Sequence, residues 1–329
     1  MFLSFVVPVY NAAPYLEECI SSLRDQNIPE TEYEIICVDD GSSDGSYGIL
    51  SAMAESGGLR LLSQAHKGVS AARNLGMREA KGDYIWFVDA DDFINPGSVE
   101  KLKQAAGSSP DVISFGAYTF FHTLSAKEQM LRKQGLLHSN VGVKTVTVWS
   151  SVIKRDFLLH NKMRFQTDMV LSEDILFLYE LSLLCPRKVE LEDVLYCWRK
   201  HTDSSSMGRT INNSQAKRNS WLTLSKKMRE YYERNEGDPV QCSDHMMSNL
   251  WAYLFECTKL DRKEFHAGVR QAKEAGLFPA RRPKECTLKR SYMTQRTDLF
   301  GKVFDYLYMH LHRPWGLMLM RLYHALRVC

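Results

Sequence analysis

Leu3-Ser4-Phe5-Val6-Val7-Pro8-Val9 opens the chain as an almost unbroken apolar run, cut off at Tyr10-Asn11. A run of that length bounded by turn residues reads as a buried strand. From Tyr15 to Gln26 the spacing changes. Leu16, Cys19, Ile20 and Leu23 recur at i, i+3, i+4 and i+7, one face of a helix. Glu34 to Val38 is a second strand, stopped by Asp39-Asp40-Gly41-Ser42-Ser43-Asp44-Gly45, which is turn chemistry followed by helix caps. Leu59 to Leu62 reads as a short strand, Val69 to Ala80 as a helix, Tyr84 to Val88 as a fourth strand, and Asp111 to Gly116 as another. Repeated strand–helix–strand order predicts an α/β fold, a mostly parallel sheet with helices on both faces. Ligands of such sheets bind beyond the carboxyl ends of the strands. Asn11, Asp39-Asp40 and Asp89-Asp91 all fall at such ends.

Residues 117 to about 200 mix patterns, with a strand expected at Val146-Thr147-Val148-Trp149 and a helix from Leu171 to Leu184. From about residue 214 the periodicity is helical. Trp221, Leu224, Met228 and Tyr231 share a face, as do Met247, Leu250, Trp251 and Leu254, and both stripes read as helix core. Pro279 to Lys284 reads as a linker. Beyond it, Trp315, Met318, Leu319, Leu322 and Leu326 follow helical spacing, with Arg321, His324 and Arg327 opposite. That helix suits either an anionic membrane surface or docking against protein.

Composition narrows the classes. The 329 residues carry a formal net charge of +3, with the densest acidic clusters before residue 100 and basic residues gathered near the C-terminus. Eight cysteines show no C-x-x-C pairing, which suits reduced thiols in a cytoplasmic protein rather than a disulfide frame or zinc site. The first residues lack a positive leader and a cleavage site, and no run of about 18 uncharged apolar residues spans a bilayer. Strand one is not followed by G-x-G-x-x-G, so a dehydrogenase is not expected. The basic tail carries no nucleic-acid module, and no nucleic-acid partner is expected.

The chemistry concentrates in Asp89-Ala90-Asp91-Asp92. Three carboxylates within four residues repel one another unless a cation or donor groups offset the repulsion. Asp89 and Asp91 leave an extended chain on the same side. Two oxygen ligands with open positions left over suit Mg²⁺ or Mn²⁺ carrying a phosphorylated ligand.

Four segments then align in order: Val7-Pro8-Val9-Tyr10-Asn11, Val38-Asp39-Asp40-Gly41-Ser42-Ser43-Asp44-Gly45-Ser46, Gly68-Val69-Ser70-Ala71-Ala72-Arg73-Asn74-Leu75-Gly76, and Gly82 through Asp92. Together they resemble the family 2 glycosyltransferases, of bacterial polysaccharide or lipopolysaccharide biosynthesis type. The resemblance implies the nucleotide-diphospho-sugar GT-A fold, an inverting transfer and a UDP-sugar donor. It divides the chain into a GT-A catalytic domain at 1–210, with a nucleotide-sugar half at 1–116 and an acceptor and base half at 117–210. A helical extension at 211–278 and the basic linker with its amphipathic helix at 279–329 follow.

The resemblance also implies roles. Pro8, Val9, Tyr10 and Asn11 would line the nucleoside pocket. Asp39 and Asp40 face the base, with Asp40 matching the residue that contacts uracil in relatives. Arg73 would hold the diphosphate or the base edge, helped by His66 and Lys67. Asp89 and Ala90 would approach the ribose, Asp91 would bind the metal with Asp89 and His201 beside it, and Asp92 would support or cap. Ser172-Glu173-Asp174 matches the family's Glu-Asp motif, with Asp174 as base and Glu173 orienting. Ser172 followed by two acids is also a plain helix N-cap. Tyr196 to Ser206 resembles a segment that closes over the diphosphate through Arg199 and His201. The acceptor expected is a glycan or lipid-linked hydroxyl; the location expected is cytoplasmic, with peripheral association at the inner face of the membrane as the option the C-terminal helix adds. The competing class is a GT-A domain that binds nucleotide sugar or glycan without turnover.

Overall fold

The structure, a computed structural model, describes residues 1–133, 138, 147–184, 186–201, 214–258 and 260–277. Its contacts divide the chain into two compact units, Met1–Thr210 and Ile211–Cys329. In the first, strands β1 (Leu3–Val9), β2 (Tyr33–Asp39), β3 (Arg60–Ser63) and β4 (Tyr84–Phe87) alternate with helices α1 (Ala13–Arg24), α2 (Ser46–Glu55) and α3 (Val69–Glu79). A two-residue strand β5 (Phe93–Ile94), helix α4 (Ser98–Ala105), strand β6 (Val112–Phe121) and helix α5 (Ala126–Lys133) follow. Strand β7 (Ser151–Lys154), helices α6 (Arg155–His160) and α7 (Glu173–Leu183), and the long strand β8 (Lys188–Lys200) complete the unit.

The strands form one sheet in the order β3-β2-β1-β4-β7-β6-β8-β5. β1 pairs in parallel with β2 and β4, and β2 with β3. β7 runs antiparallel between β4 and β6, while β6 and β8 are parallel to each other. The strands β1, β2, β4, β6 and β8 therefore end at the same edge. The sheet is a mixed one whose β3-β2-β1-β4 half is fully parallel.

Neighbouring strand residues serve opposite faces. Phe5, Ile35 and Trp86 pack against Leu16 and Ile20 of α1, Leu50 of α2 and Leu102 of α4. Their neighbours Val6, Ile36 and Phe87 pack against Ala72 and Met77 of α3, Leu158 of α6 and Phe177 of α7. Both faces are covered, which is why these strands read as unbroken apolar runs rather than alternating ones.

One expected strand is displaced. Val148–Ser150 is a single 3₁₀ turn and the strand begins at Ser151. Val148 and Trp149 are both buried in succession, and the Trp149 carbonyl accepts the indole N–H of Trp86 at 2.9 Å. That bond serves the core from a turn, so apolar content alone misplaced the strand. Ser172 has a left-handed φ of 62° and makes no side-chain cap bond, so the N-cap alternative is not realised there.

The second unit is helical where described: α8 (Ser214–Glu233), α9 (Pro239–Thr258) and α10 (Arg262–Glu274). Leu224 and Met228 of α8 and Leu250 and Leu254 of α9 are buried, as their spacing predicts. No helix among the described residues is long and apolar enough to cross a membrane. The basic linker and the C-terminal amphipathic helix lie outside the described residues.

Two helical glycines carry opposite predictions. A Cβ on Gly76 of α3 would stand 2.3 Å from Cγ1 of Val6, a fully buried β-branched residue with no room to turn. A Cβ on Gly48 of α2 would meet nothing within 4 Å. Gly76→Ala is expected to destabilise by about 1–3 kcal/mol through overpacking. Gly48→Ala is expected to stabilise by up to about 1 kcal/mol through helix propensity. Urea unfolding midpoints check both signs.

Candidate active site

The nucleoside side of the edge is built by β1, β2 and the start of α3. Pro8 and Val9 are buried inside β1, and the Val9 carbonyl accepts the N–H of Asp40 at 2.8 Å. Their contribution is to fix the strand ends. Asn11 has a φ of 51°, and its Oδ1 accepts the backbone N–H of Ser43 at 2.8 Å and of Asp44 at 3.3 Å. It ties the β1 turn to the β2 turn. Tyr10 is half exposed and stacks on His66 with ring centroids 4.2 Å apart.

The two aspartates of β2 differ. Asp40 is buried and its oxygens accept Gln64 Nε2 at 2.7 Å, Lys67 N at 2.8 Å and Gly68 N at 2.8 Å, with His66 Nδ1 at 2.9 Å. Four contacts fill the lone-pair sites of one carboxylate. Asp39 takes Gly41 N and Ser42 N on Oδ2, while its buried Oδ1 has no partner among the described residues. The acceptor with capacity to spare is thus Asp39, whereas Asp40 holds the loop that leads into α3. Gly68 sits there at φ 88°, a left-handed position that suits glycine.

The acidic turn follows β4. The N–H of Asp92 bonds the Asp89 carbonyl at 3.1 Å, closing a tight turn with Asp91 at its tip. Asp92 is buried and accepts the Tyr196 hydroxyl at 2.6 Å and the Arg199 N–H at 2.7 Å. Burial first, then Asp91 and Asp89, pushes its carboxyl well above the usual range. The Tyr196 oxygen also accepts the Asp89 N–H at 3.1 Å. Arg199 is buried. Its Nε donates to the Asp91 carbonyl at 2.8 Å, and its terminal nitrogens bond the His122 carbonyl and Glu18. The guanidinium lies among the rings of Tyr15, Phe93 and Phe120. Arg199 therefore clamps the acidic turn from beneath rather than reaching toward a diphosphate. His201 Nε2 stands 2.9 Å from Asp91 Oδ2, its ring lies over Tyr15, and its buried Nδ1 has no partner among the described residues. Ala90 is buried in the core beside the turn.

Arg73 of α3 is also buried. One terminal nitrogen donates to Asp89 Oδ1 at 2.8 Å and the other to Glu173 Oε1 at 2.7 Å. The neighbouring Asp174 has its carboxyl pushed up to about 7 by burial and by Glu173, against the pull of Arg73. The geometry thus sets a partly protonated carboxyl at the start of α7, joined through Glu173 and Arg73 to the acidic turn.

The family profile described as Glycosyl transferase family 2 matches residues 4–165. YibD of Escherichia coli K12, an uncharacterized glycosyltransferase, is 30% identical over 292 residues, covering 84% of this chain and 84% of its own. The chain belongs to glycosyl transferase family 2. EpsJ of Bacillus subtilis 168, another uncharacterized glycosyltransferase, is 30% identical over 215 residues, which span 61% of this chain and 62% of EpsJ. Among solved structures, residues 1–349 of Staphylococcus aureus TarS in complex with UDP-GlcNAc superpose with a TM-score of 0.65 at 19% identity, covering 100% of this chain and 92% of that one. The fold is that of the GT-A nucleotide-sugar transferases, and the protein is a glycosyltransferase.

In this glycosyltransferase every residue singled out for the site stands at one edge of the sheet or directly beneath it, but the partners of several differ from those expected. Arg73 and Arg199 spend their forks on carboxylates and carbonyls of the chain itself. Asn11 locks turns. The residues the sequence did not single out are Tyr196, Tyr15 and Glu18, which hold Asp92, His201 and Arg199. Tyr196 lies within a quoted motif, and its place in a strand directed at the acidic turn was the available signal.

Among the described residues, no three His, Cys, Asp or Glu side chains are gathered as a ready metal cage. Asp91 and His201 are adjacent, with Asp89 two residues away and Nδ1 of His201 unpartnered. One carboxylate and one imidazole fit a Mn²⁺- or Mg²⁺-type ion that takes its other ligands from phosphate and water.

Tyr196→Phe removes the hydroxyl that serves both Asp92 and the Asp89 N–H, leaving a buried carboxylate oxygen short of a donor. A stability loss of about 1–3 kcal/mol is expected, read from denaturant unfolding.

Proposed function

We propose that the protein is an inverting, metal-assisted hexosyltransferase that moves a sugar from a UDP-sugar to a hydroxyl of a glycan or lipid-linked acceptor in surface polysaccharide synthesis. The observation that carries this reading is the convergence of Asp39, Asp91, His201 and the Asp174 carboxyl at one sheet edge. The UDP-GlcNAc bound by TarS supports the choice of a UDP-sugar.

Asp39 Oδ1, buried with acceptor capacity to spare, is assigned to a base N–H, and the Tyr10–His66 stack offers an aromatic wall. Asp91 and His201, with Asp89 nearby, are assigned to the metal, whose charge would offset that developing on the departing diphosphate. Asp174 is assigned as the base that takes the acceptor proton. A carboxyl near 7 suits that role, since it is ionised in part at neutral pH and still basic enough to accept a proton. A single displacement from the side opposite the leaving group inverts the anomeric centre.

Two predictions follow from these assignments. Turnover is expected to rise with pH through about 7 and to fall about tenfold per unit below it, as Asp174 is protonated. Asp174→Asn removes that limb and most of the activity. The same raised carboxyl disfavours the folded state as it ionises: its contribution is full below the unfolded value of 3.8 and lost as pH rises through about 7. Asp174→Asn is therefore expected to unfold later than the parent at pH 8, with the gap closing toward pH 4, as thermal melts at both values would record.

Calorimetric titration with UDP, GDP and dTDP, with and without Mn²⁺, tests the donor site. UDP binding that needs Mn²⁺ and weakens at least about tenfold in Asp91→Ala is the expected result. Folded protein that binds none of the three contradicts the reading.

A further inference from the structure

Resting on the glycosyltransferase reading above, we propose that Arg73 is a positioning residue: it fixes the base-bearing start of α7 against the donor-side carboxylate Asp89, with Glu173 as its anchor and no contact to the nucleotide. Its side chain is 6% exposed and both terminal nitrogens are taken by carboxylates from different segments. Its Nε is buried without a partner among the described residues. The planar fork is what allows one side chain to span two carboxylates at hydrogen-bond distance.

The floor under the fork is equally built. The Arg73 guanidinium lies 5.4 Å from the Phe165 ring centroid. Phe165 stacks on Phe177 of α7 at 4.0 Å and meets Phe87 of β4 edge-on at 5.1 Å. The next residue of α3, Asn74, pins Phe165 in both directions: its Nδ2 donates to the Phe165 carbonyl, and its Oδ1 accepts the Phe165 N–H, each at 2.8 Å. Arg73 and Asn74 thus join β4, α3 and α7 through one aromatic wedge and one charged fork. A base displaced by about 1 Å loses on the order of a hundredfold in rate, so a frame of this rigidity has a catalytic consequence without touching substrate. Glu173 accordingly serves Arg73 rather than the acceptor.

The test compares the parent protein with Arg73→Gln, Arg73→Lys, Glu173→Gln and the double variant Arg73→Gln/Glu173→Gln. Two quantities are read for each. One is the affinity for UDP with Mn²⁺ by calorimetry. The other is kcat for UDP release from UDP-GlcNAc, UDP-glucose or UDP-galactose, per folded molecule. The expected result is a kcat about a hundredfold lower in Arg73→Gln and about tenfold lower in Arg73→Lys, because an ammonium reaches only one carboxylate. UDP affinity should stay within about threefold of the parent in both, and the double variant should be no slower than Arg73→Gln. A loss of UDP affinity of tenfold or more would make Arg73 a nucleotide ligand and overturn the proposal. So would an unchanged kcat in Arg73→Gln, which would leave only a packing role. Parent protein that binds UDP but releases it from none of the three donors sinks the proposed UDP-hexose donor on which the test rests, a failure visible before any variant is compared.

Discussion

Four carboxylates crowd the end of β4 and the start of α7, and the architecture of the site follows from what it takes to hold them there. Asp89, Asp91, Asp92 and Glu173 each meet a donor: Arg73 for Asp89 and Glu173, His201 for Asp91, Tyr196 and the Arg199 N–H for Asp92. A buried carboxylate without such partners is costly. The partners come from α3, from β8 and from His201 just after it, far apart in the chain, so the acidic turn is held by contacts across the assembled sheet. Arg199 adds a second tie, joining the Asp91 carbonyl, the end of β6 and α1.

The arrangement separates support from chemistry. The arginines lie beneath, their terminal nitrogens bonded to the chain itself, while other groups keep spare capacity. Asp39 Oδ1 and His201 Nδ1 are buried polar atoms without partners among the described residues, and the Asp91 side chain is partly exposed. Unmet buried polar atoms cost stability, and at this edge a bound ligand would meet them. Asp174 carries a similar cost in its raised carboxyl. The site is therefore less stable than it needs to be as a fold, which is the usual condition of a place where charge must change hands.

Most of the parallel half of the sheet was legible because β1, β2 and β4 are buried on both faces and stopped by turn chemistry. The acidic turn was legible because adjacent carboxylates need a reason. The partners of Arg73, Asn11 and Arg199 were not, since a polar side chain carries no mark of whether it faces ligand or protein. The strand at Ser151–Lys154 was missed because Val148 and Trp149 are more apolar than the strand itself, being core residues presented from a turn. The pairing of Asp39 and Asp40 shows the same limit. Adjacent and identical, they differ only in what the 64–68 loop brings to one of them.

Hydrogen–deuterium exchange in the presence of UDP-GlcNAc and Mn²⁺ tests the central claim most directly, because it locates the ligand without assuming its acceptor. The account predicts slowed exchange in peptides covering residues 9–13, 38–46, 64–70, 88–93 and 197–201, all of which lie at one sheet edge. Protection confined to other segments, or none at ligand concentrations that saturate binding, would contradict it.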